Sequence, residues 1–197
     1  MPEMTRSEDI ERLAQVKDAF IDFSPALSYP APEITGSFVP PVGEERYQAF
    51  FNVRSAFESG IPVGFGSDWA SALIPDPNGF HQMQSWITRQ DPQDPSSGTL
   101  NADQAITLEQ AVRGFTMGGA ECLGFDWPEE LGSIEVGKLA DFIVLDRHIF
   151  DSPIEQLYQT KVERTVLGGT VVYDLQKDVV DDLIDEEHFE PGIRYMN

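Results

Sequence analysis

The chain has 197 residues, and its thirty-four acidic against thirteen basic side chains leave a formal net charge of -21. That length suits one large domain or two small ones, and an apolar share of 41% is enough to fill a core. Phosphate binding needs clustered Lys and Arg, so this balance excludes nucleic acid and anionic membranes as partners.

Cys122 is the single cysteine, which rules out an intrachain disulfide and a zinc cluster built from thiolates. A reducing, cytoplasmic setting is the expectation. No apolar run has the length of a membrane span, and Met1–Arg6 lacks the apolar core of a signal peptide.

Thr5-Arg6-Ser7-Glu8 has the spacing of a capping box, and Ile10, Leu13, Ala14 and Lys17 follow at helical period. Together they predict a helix over residues 6–18. Phe20–Ser24 reads as a strand that Pro25 ends. Residues 24–43, rich in Pro, Ser and Gly, read as a long irregular loop, either a lid or a passive connection. Glu44–Glu58 sets Tyr47, Phe50, Phe51 and Phe57 on one side of a predicted helix that Gly60 closes. Ile61–Phe65 is a second short strand. Helix, strand, loop, helix, strand is the order of parallel β/α units.

The second strand runs into Gly66-Ser67 and then presents one carboxylate, Asp68. Barrels of parallel strands carry their chemistry at the C-terminal strand ends, which is where Asp68 falls. Asp also caps turns and helices, so the local pattern leaves both readings open. A helix follows from about Phe80 to Arg89, with His81 near its start as a metal ligand, a proton carrier or a plain structural imidazole. Arg89 suits either an anionic substrate group or the last carbonyls of its own helix.

Asp91–Asn101 is a polar loop, and Thr107-Leu-Glu-Gln110 is a second capping box. Leu108, Ala111, Val112, Phe115, Gly119, Cys122 and Leu123 mark one helix face, which buries Cys122 as an inert thiol, and Gly124 stops the helix. Gly118-Gly119-Ala120 allows another element to pack closely. A turn-rich approach over Leu131–Asp141 leads to a strand at Phe142–Leu145. Glu163–Leu167, Gly168-Gly169 and Thr170–Tyr173 read as a hairpin. The acidic stretch from Asp174, with His188 in it, reads as a solvated tail.

Gly66-Ser-Asp-Trp69, Ile87-Thr-Arg89, Leu108-Glu-Gln-Ala111, the run Gly132-Ser-Ile-Glu-Val-Gly-Lys-Leu-Ala-Asp-Phe-Ile-Val-Leu-Asp146 and Val166-Leu-Gly-Gly-Thr-Val-Val-Tyr173 occur in this order. The succession resembles the C-terminal part of metal-dependent amidohydrolases, in the family 3 branch that includes the N-substituted formamide deformylases. It covers residues 5–174.

The resemblance implies an α/β fold: a (β/α)8 TIM-type barrel holding one or two divalent metals, usually zinc, with a small β-sandwich built from both chain ends. On that template Phe20–Ser24 is similar to barrel strand seven and Ile61–Gly66 to strand eight. Residues 1–127 are then the C-terminal portion of the barrel, 128–174 a strand-rich small domain and 175–197 the acidic tail. The implied chemistry is hydrolysis of a non-peptide carbon–nitrogen bond in a small-molecule substrate. Asp68 is implied as the catalytic proton carrier and a metal contact, with Trp69 and Arg89 as substrate contacts.

The family's His-x-His pair is absent from this sequence, which has no histidine before His81. Zinc takes about four ligands, so Asp68 alone does not hold it. The expectation is a fragment with an incomplete site, completed by an N-terminal half or by a second copy of the chain. A non-catalytic binding module is the reading from another class. Two strands of an eight-strand barrel leave apolar faces and open edges, which predicts aggregation, oligomerisation or partial disorder of the isolated chain.

Overall fold

The computed structural model describes residues 4–24, 28–30, 32–67, 78–124 and 127–177. Two parallel strands hold its centre. β1 (Ile21–Phe23) and β2 (Val63–Phe65) pair in register as Ile21 with Val63, Asp22 with Gly64 and Phe23 with Phe65. The alternation of a strand sends Ile21, Phe23, Val63 and Phe65 into the core, while Asp22 is exposed.

Four helices lead up to β2: α1 (Ser7–Leu13), α2 (Pro32–Val42), α3 (Glu44–Tyr47) and α4 (Val53–Ser59). α5 (Gly79–Thr88) then lays Trp86 across both strands. The indole is fully buried, stacks on Phe65 at 5.5 Å, and meets the edges of Phe23 and Phe51 at 5.9 Å. Offset and edge-on pairs of this kind add to what area burial alone supplies.

Several helices differ from their sequence expectation, each for a local reason. α1 starts one residue after Arg6, and no side-chain cap forms there. Arg6 instead pairs with Glu8 and Asp9, and beyond Leu13 the chain turns rather than continuing to residue 18. The stretch expected as an irregular loop contains α2. Pro32 stands at the first helical position, where its missing N–H costs nothing, and Pro40 and Pro41 sit in the last turn. Phe38, Val39 and Val42 pack on the core, and Gly43, at φ 83°, ends the helix.

The helix expected over Glu44–Glu58 is two helices, α3 and α4. The break passes through Phe51 at φ 62°, and it lets both Phe50 and Phe51 enter the core. Side-chain amides satisfy the carbonyls that the break frees. Asn101 Nδ2 donates to the Phe50 carbonyl at 2.8 Å, and Asn52 Nδ2 donates to the carbonyls of Thr5 and Ala49. Gly60 closes α4 in the left-handed conformation, as its position in the sequence requires.

α6 (Leu108–Phe115) carries the capping box in full: Thr107 Oγ1 accepts from Gln110 N, and Gln110 Oε1 accepts from Thr107 N. The chain breaks at Thr116, and α7 (Met117–Leu123) sets off against β2. A Cβ on Gly118 would collide with the Val63 carbonyl oxygen, so this glycine is what lets α7 touch the strand. Cys122 ends up half-buried beside Asp22, and burial pushes its thiol up to about 11.

After the short α8 (Trp127–Glu130) come three antiparallel strands in the order β3 (Phe142–Leu145), β4 (Val162–Leu167), β5 (Thr170–Asp174). Gly168 and Gly169, both at positive φ, make the expected hairpin turn. A 3-10 helix at Ile154–Gln159 fastens this region to α5, where the Tyr158 N–H donates to Gln84 Oε1 at 3.0 Å. Among the described residues no helix is long and apolar enough to cross a membrane.

Candidate functional site

Asp68 and Trp69 lie outside the described residues. What the structure does show is the ground from which they depart. Gly66 N donates to the Phe23 carbonyl at 3.1 Å, which brings the ends of β1 and β2 together just before Ser67. Asp22 stands at this point. Its carboxylate oxygens lie 3.6 and 3.7 Å from where a Cβ on Gly66 would be, and partial desolvation of the carboxylate, in a residue that is exposed as a whole, raises the Asp22 pKa. Sequence reasoning passed over Asp22, since one acid in a short strand reads as a solvent-facing alternate. The usable signal was its parity with Gly64 and Gly66 on the face opposite Ile21 and Phe23.

His81 lies in α5 and Arg89 caps its C-terminal end; the helix start is fixed by the Asn78 side chain accepting from Phe80 N at 2.9 Å. His81 is buried. Its Nε2 lies 3.9 Å from Asp91 Oδ1 and its ring meets Tyr29 edge-on at 5.8 Å. That separation is an electrostatic neighbourhood, not a hydrogen bond. Ser28 and Ser85 meet through their hydroxyls at 3.2 Å, so the segment after β1 and the helix after β2 converge.

Arg89 caps α5 in the left-handed conformation, at φ 59°. Its side chain does not return to the helix carbonyls. Nε donates across the polar loop to the Leu100 carbonyl at 2.9 Å, and Leu100 N donates to the Arg89 carbonyl at 3.0 Å. The guanidinium is fully buried, 4.9 Å from the centre of the Trp86 ring and 5.9 Å from that of Phe51. Burial lowers its pKa to about 9, against a raising influence from Tyr47.

Among the described residues no group of three or more His, Cys, Asp and Glu side chains converges to hold a metal. Zinc needs about four ligands, so the described donors do not fit it.

The profile of the amidohydrolase family, in its family 3 form, matches residues 2–173, and the chain belongs to that family. The N-substituted formamide deformylase of Arthrobacter pascens is 30% identical over 131 residues, covering 66% of this chain and 22% of that protein. The S-triazine hydrolase of Gordonia rubripertincta is 32% identical over 127 residues, covering 57% of this chain and 24% of that protein. The chain therefore spans about a quarter or less of the length of these relatives.

Among solved structures, the zinc complex of atrazine chlorohydrolase from Arthrobacter aurescens TC1 superposes with a TM-score of 0.59 at 23% identity, over 93% of this chain and 37% of that one. A zinc-bound adenosine deaminase from Xanthomonas campestris gives 0.62 at 17%, over 92% and 38%. At these identities the likeness establishes the fold alone, a mixed α/β arrangement.

Proposed function

We propose that this chain carries the C-terminal portion of a metal-dependent amidohydrolase that cleaves non-peptide carbon–nitrogen bonds, of amide or cyclic amide type, in small molecules. One observation supports the reading above the others. The family profile runs from residue 2 to 173, yet the chain spans only 22% of the formamide deformylase it matches. β1 and β2 take the part of barrel strands seven and eight in this reading, within a barrel portion at residues 1–127. Residues 128–174 form the small strand-rich domain, and 175–197 the acidic tail.

Asp68 follows the end of β2 and is the catalytic group. Its carboxylate accepts the proton of the attacking water and returns it to the departing amine, two steps that one carboxylate performs in turn. Trp69 and Arg89 contact the substrate. In this reading the remaining ligands come from another segment: an N-terminal half of the enzyme, or a second copy of the chain.

The test is hydrolysis of a panel of N-substituted formamides and cyclic amides. The purified chain is assayed alone and after co-expression with a family segment bearing the His-x-His pair. The reading expects turnover only in the co-expressed sample, with loss of at least a hundredfold in Asp68→Asn. Turnover by the chain alone that is indifferent to Asp68→Asn would overturn it.

A further inference from the structure

Glu44 and Tyr47 stand at i and i+3 of α3, which sets a carboxylate and a phenol on the same side of that helix. Ser97 and Thr99, some fifty residues further along in the polar loop, line the same cavity as these two. Its volume is about 470 Å³, and Pro30 and Pro32 give it an apolar wall. Small-molecule sites occupy about 300–1,000 Å³, so the space suits a small ligand.

Two hydroxyls of the lining are buried and unmet. Tyr47 is only 1% exposed, and its Oη has no hydrogen-bond partner; Ser97 Oγ is buried without one as well. Buried polar atoms are paired in the great majority of cases, so two such hydroxyls on one cavity are a concentrated exception. Thr35 stands near enough to act on the phenol but does not reach hydrogen-bond geometry with it. Burial raises the Tyr47 pKa, and Glu44 adds to the rise, against Thr35 and Arg89. The phenol therefore stays protonated at neutral pH and keeps lone pairs to offer.

Glu44 sets the sign of the ligand. Gln48 Nε2 donates to its Oε1 at 2.8 Å, which steadies the carboxylate without neutralising it. Among the described residues no Lys or Arg lines the cavity. Arg89 acts on Tyr47, but it is fully buried and forms no part of the lining. An anion would meet the Glu44 charge with no cation in the wall to offset it. A primary ammonium group is a compact cation with three N–H donors, and the carboxylate and the two unmet hydroxyls supply three acceptors.

We propose that this cavity binds a small primary ammonium ion, with the Glu44 carboxylate, Tyr47 Oη and Ser97 Oγ accepting its N–H groups and Pro30 and Pro32 meeting its alkyl part. The proposal goes beyond the hydrolase reading and does not depend on it.

The probe is methylammonium chloride, titrated against tetramethylammonium chloride at equal ionic strength. The second cation carries the same charge without N–H donors. The full chain is labelled with 13Cζ-tyrosine, and the Tyr47 resonance is identified by its absence in Tyr47→Phe. That resonance should move saturably with methylammonium and not with tetramethylammonium. Glu44→Gln should weaken the response at least fivefold and Ser97→Ala at least twofold, with circular dichroism checking that the helices persist. Should the chain associate and broaden its resonances, equilibrium dialysis of labelled methylammonium in excess tetramethylammonium chloride gives the second readout. About one saturable ion per chain is expected there, lost in Tyr47→Phe/Glu44→Gln. Equal responses to the two cations would mean general attraction to an acidic chain and would overturn the proposal. So would a methylammonium response that Glu44→Gln leaves unchanged, or no response by either readout, in which case water alone satisfies the two hydroxyls.

Discussion

The strands around Trp86 and the strands of the C-terminal sheet are built from the same kinds of residue and end in opposite situations. Ile21, Phe23, Val63 and Phe65 are shut away beneath α5, α6 and α7. Phe142, Ile143 and Val144 of β3 are 38%, 48% and 36% exposed, and Val171, Val172 and Tyr173 of β5 are exposed alongside them. β-branched and aromatic residues favour strands in both places, but among the described residues only the first set is buried under helices. Apolar strand content alone therefore does not mark a core. Exposed apolar residues on neighbouring strands are what self-association would cover, and that is measurable.

The sharpest way to break the contrast is at its buried end. Trp86→Ala removes the ring that joins β1, β2 and the Phe51 turn, and should cost about 3–5 kcal/mol in denaturant unfolding. A loss under about 1 kcal/mol would mean that the aromatic cluster is not the organising contact. Next in size is Gly118→Ala, which drives a methyl into the Val63 carbonyl and should cost about 1–3 kcal/mol by shifting α7 from β2. Equal stability of this variant would show that α7 does not pack as described.

A smaller effect belongs to the junction of β3 and β4. The hydrogen bonds from Arg147, and then from the Lys161 N–H, hold the Asp146 carboxyl down from 3.8 to about 2. A lowered folded-state pKa contributes stability above the ordinary carboxylate range, and that contribution is lost as pH falls toward 2. Unfolding curves of the wild-type chain and Asp146→Asn should therefore differ at neutral pH and converge in that acid window. A difference that persists unchanged at the acid end would remove Asp146 from the account. The smallest effect is expected at Ile143→Thr on the open sheet, within about 0.5 kcal/mol. The same substitution should lower self-association in light scattering if the exposed face drives it. A fully monomeric, cooperatively unfolding wild-type chain would contradict the view that this face requires cover.

Local chemistry was legible wherever nothing distant competed with it. The Thr107–Gln110 capping box, the Gly60 cap and the Gly168-Gly169 turn all formed as their residues require. The Thr5–Glu8 box did not, because Arg6 draws Glu8 and Asp9 into ion pairs instead. α2 was hidden by its prolines: Pro32 stands at the first helical position, where a helix tolerates one, but Pro40 and Pro41 lie inside the last turn, which sequence reasoning takes as a break. The break at Phe51 depends on Asn101, about fifty residues away in the chain, and no helical period reports such a partner.

The site was legible in part. Asp68 and Trp69 come from a motif and remain sequence-level assignments. Arg89 was visible as a residue of interest, but not its removal from water or its tie to Leu100. That the polar atoms of Gln82, Trp86 and the Arg89 terminal nitrogens go unmet among the described residues was unreadable, because sequence spacing reports no hydrogen-bond partner.

The central claim is that this chain, by itself, holds only part of a hydrolase's metal site. Elemental analysis of the purified 197-residue chain beside Asp68→Ala tests it most directly. The account predicts zinc far below one ion per chain in both samples. Near-stoichiometric zinc in the wild-type chain, lost in Asp68→Ala, would contradict it and show that the chain assembles a complete site on its own.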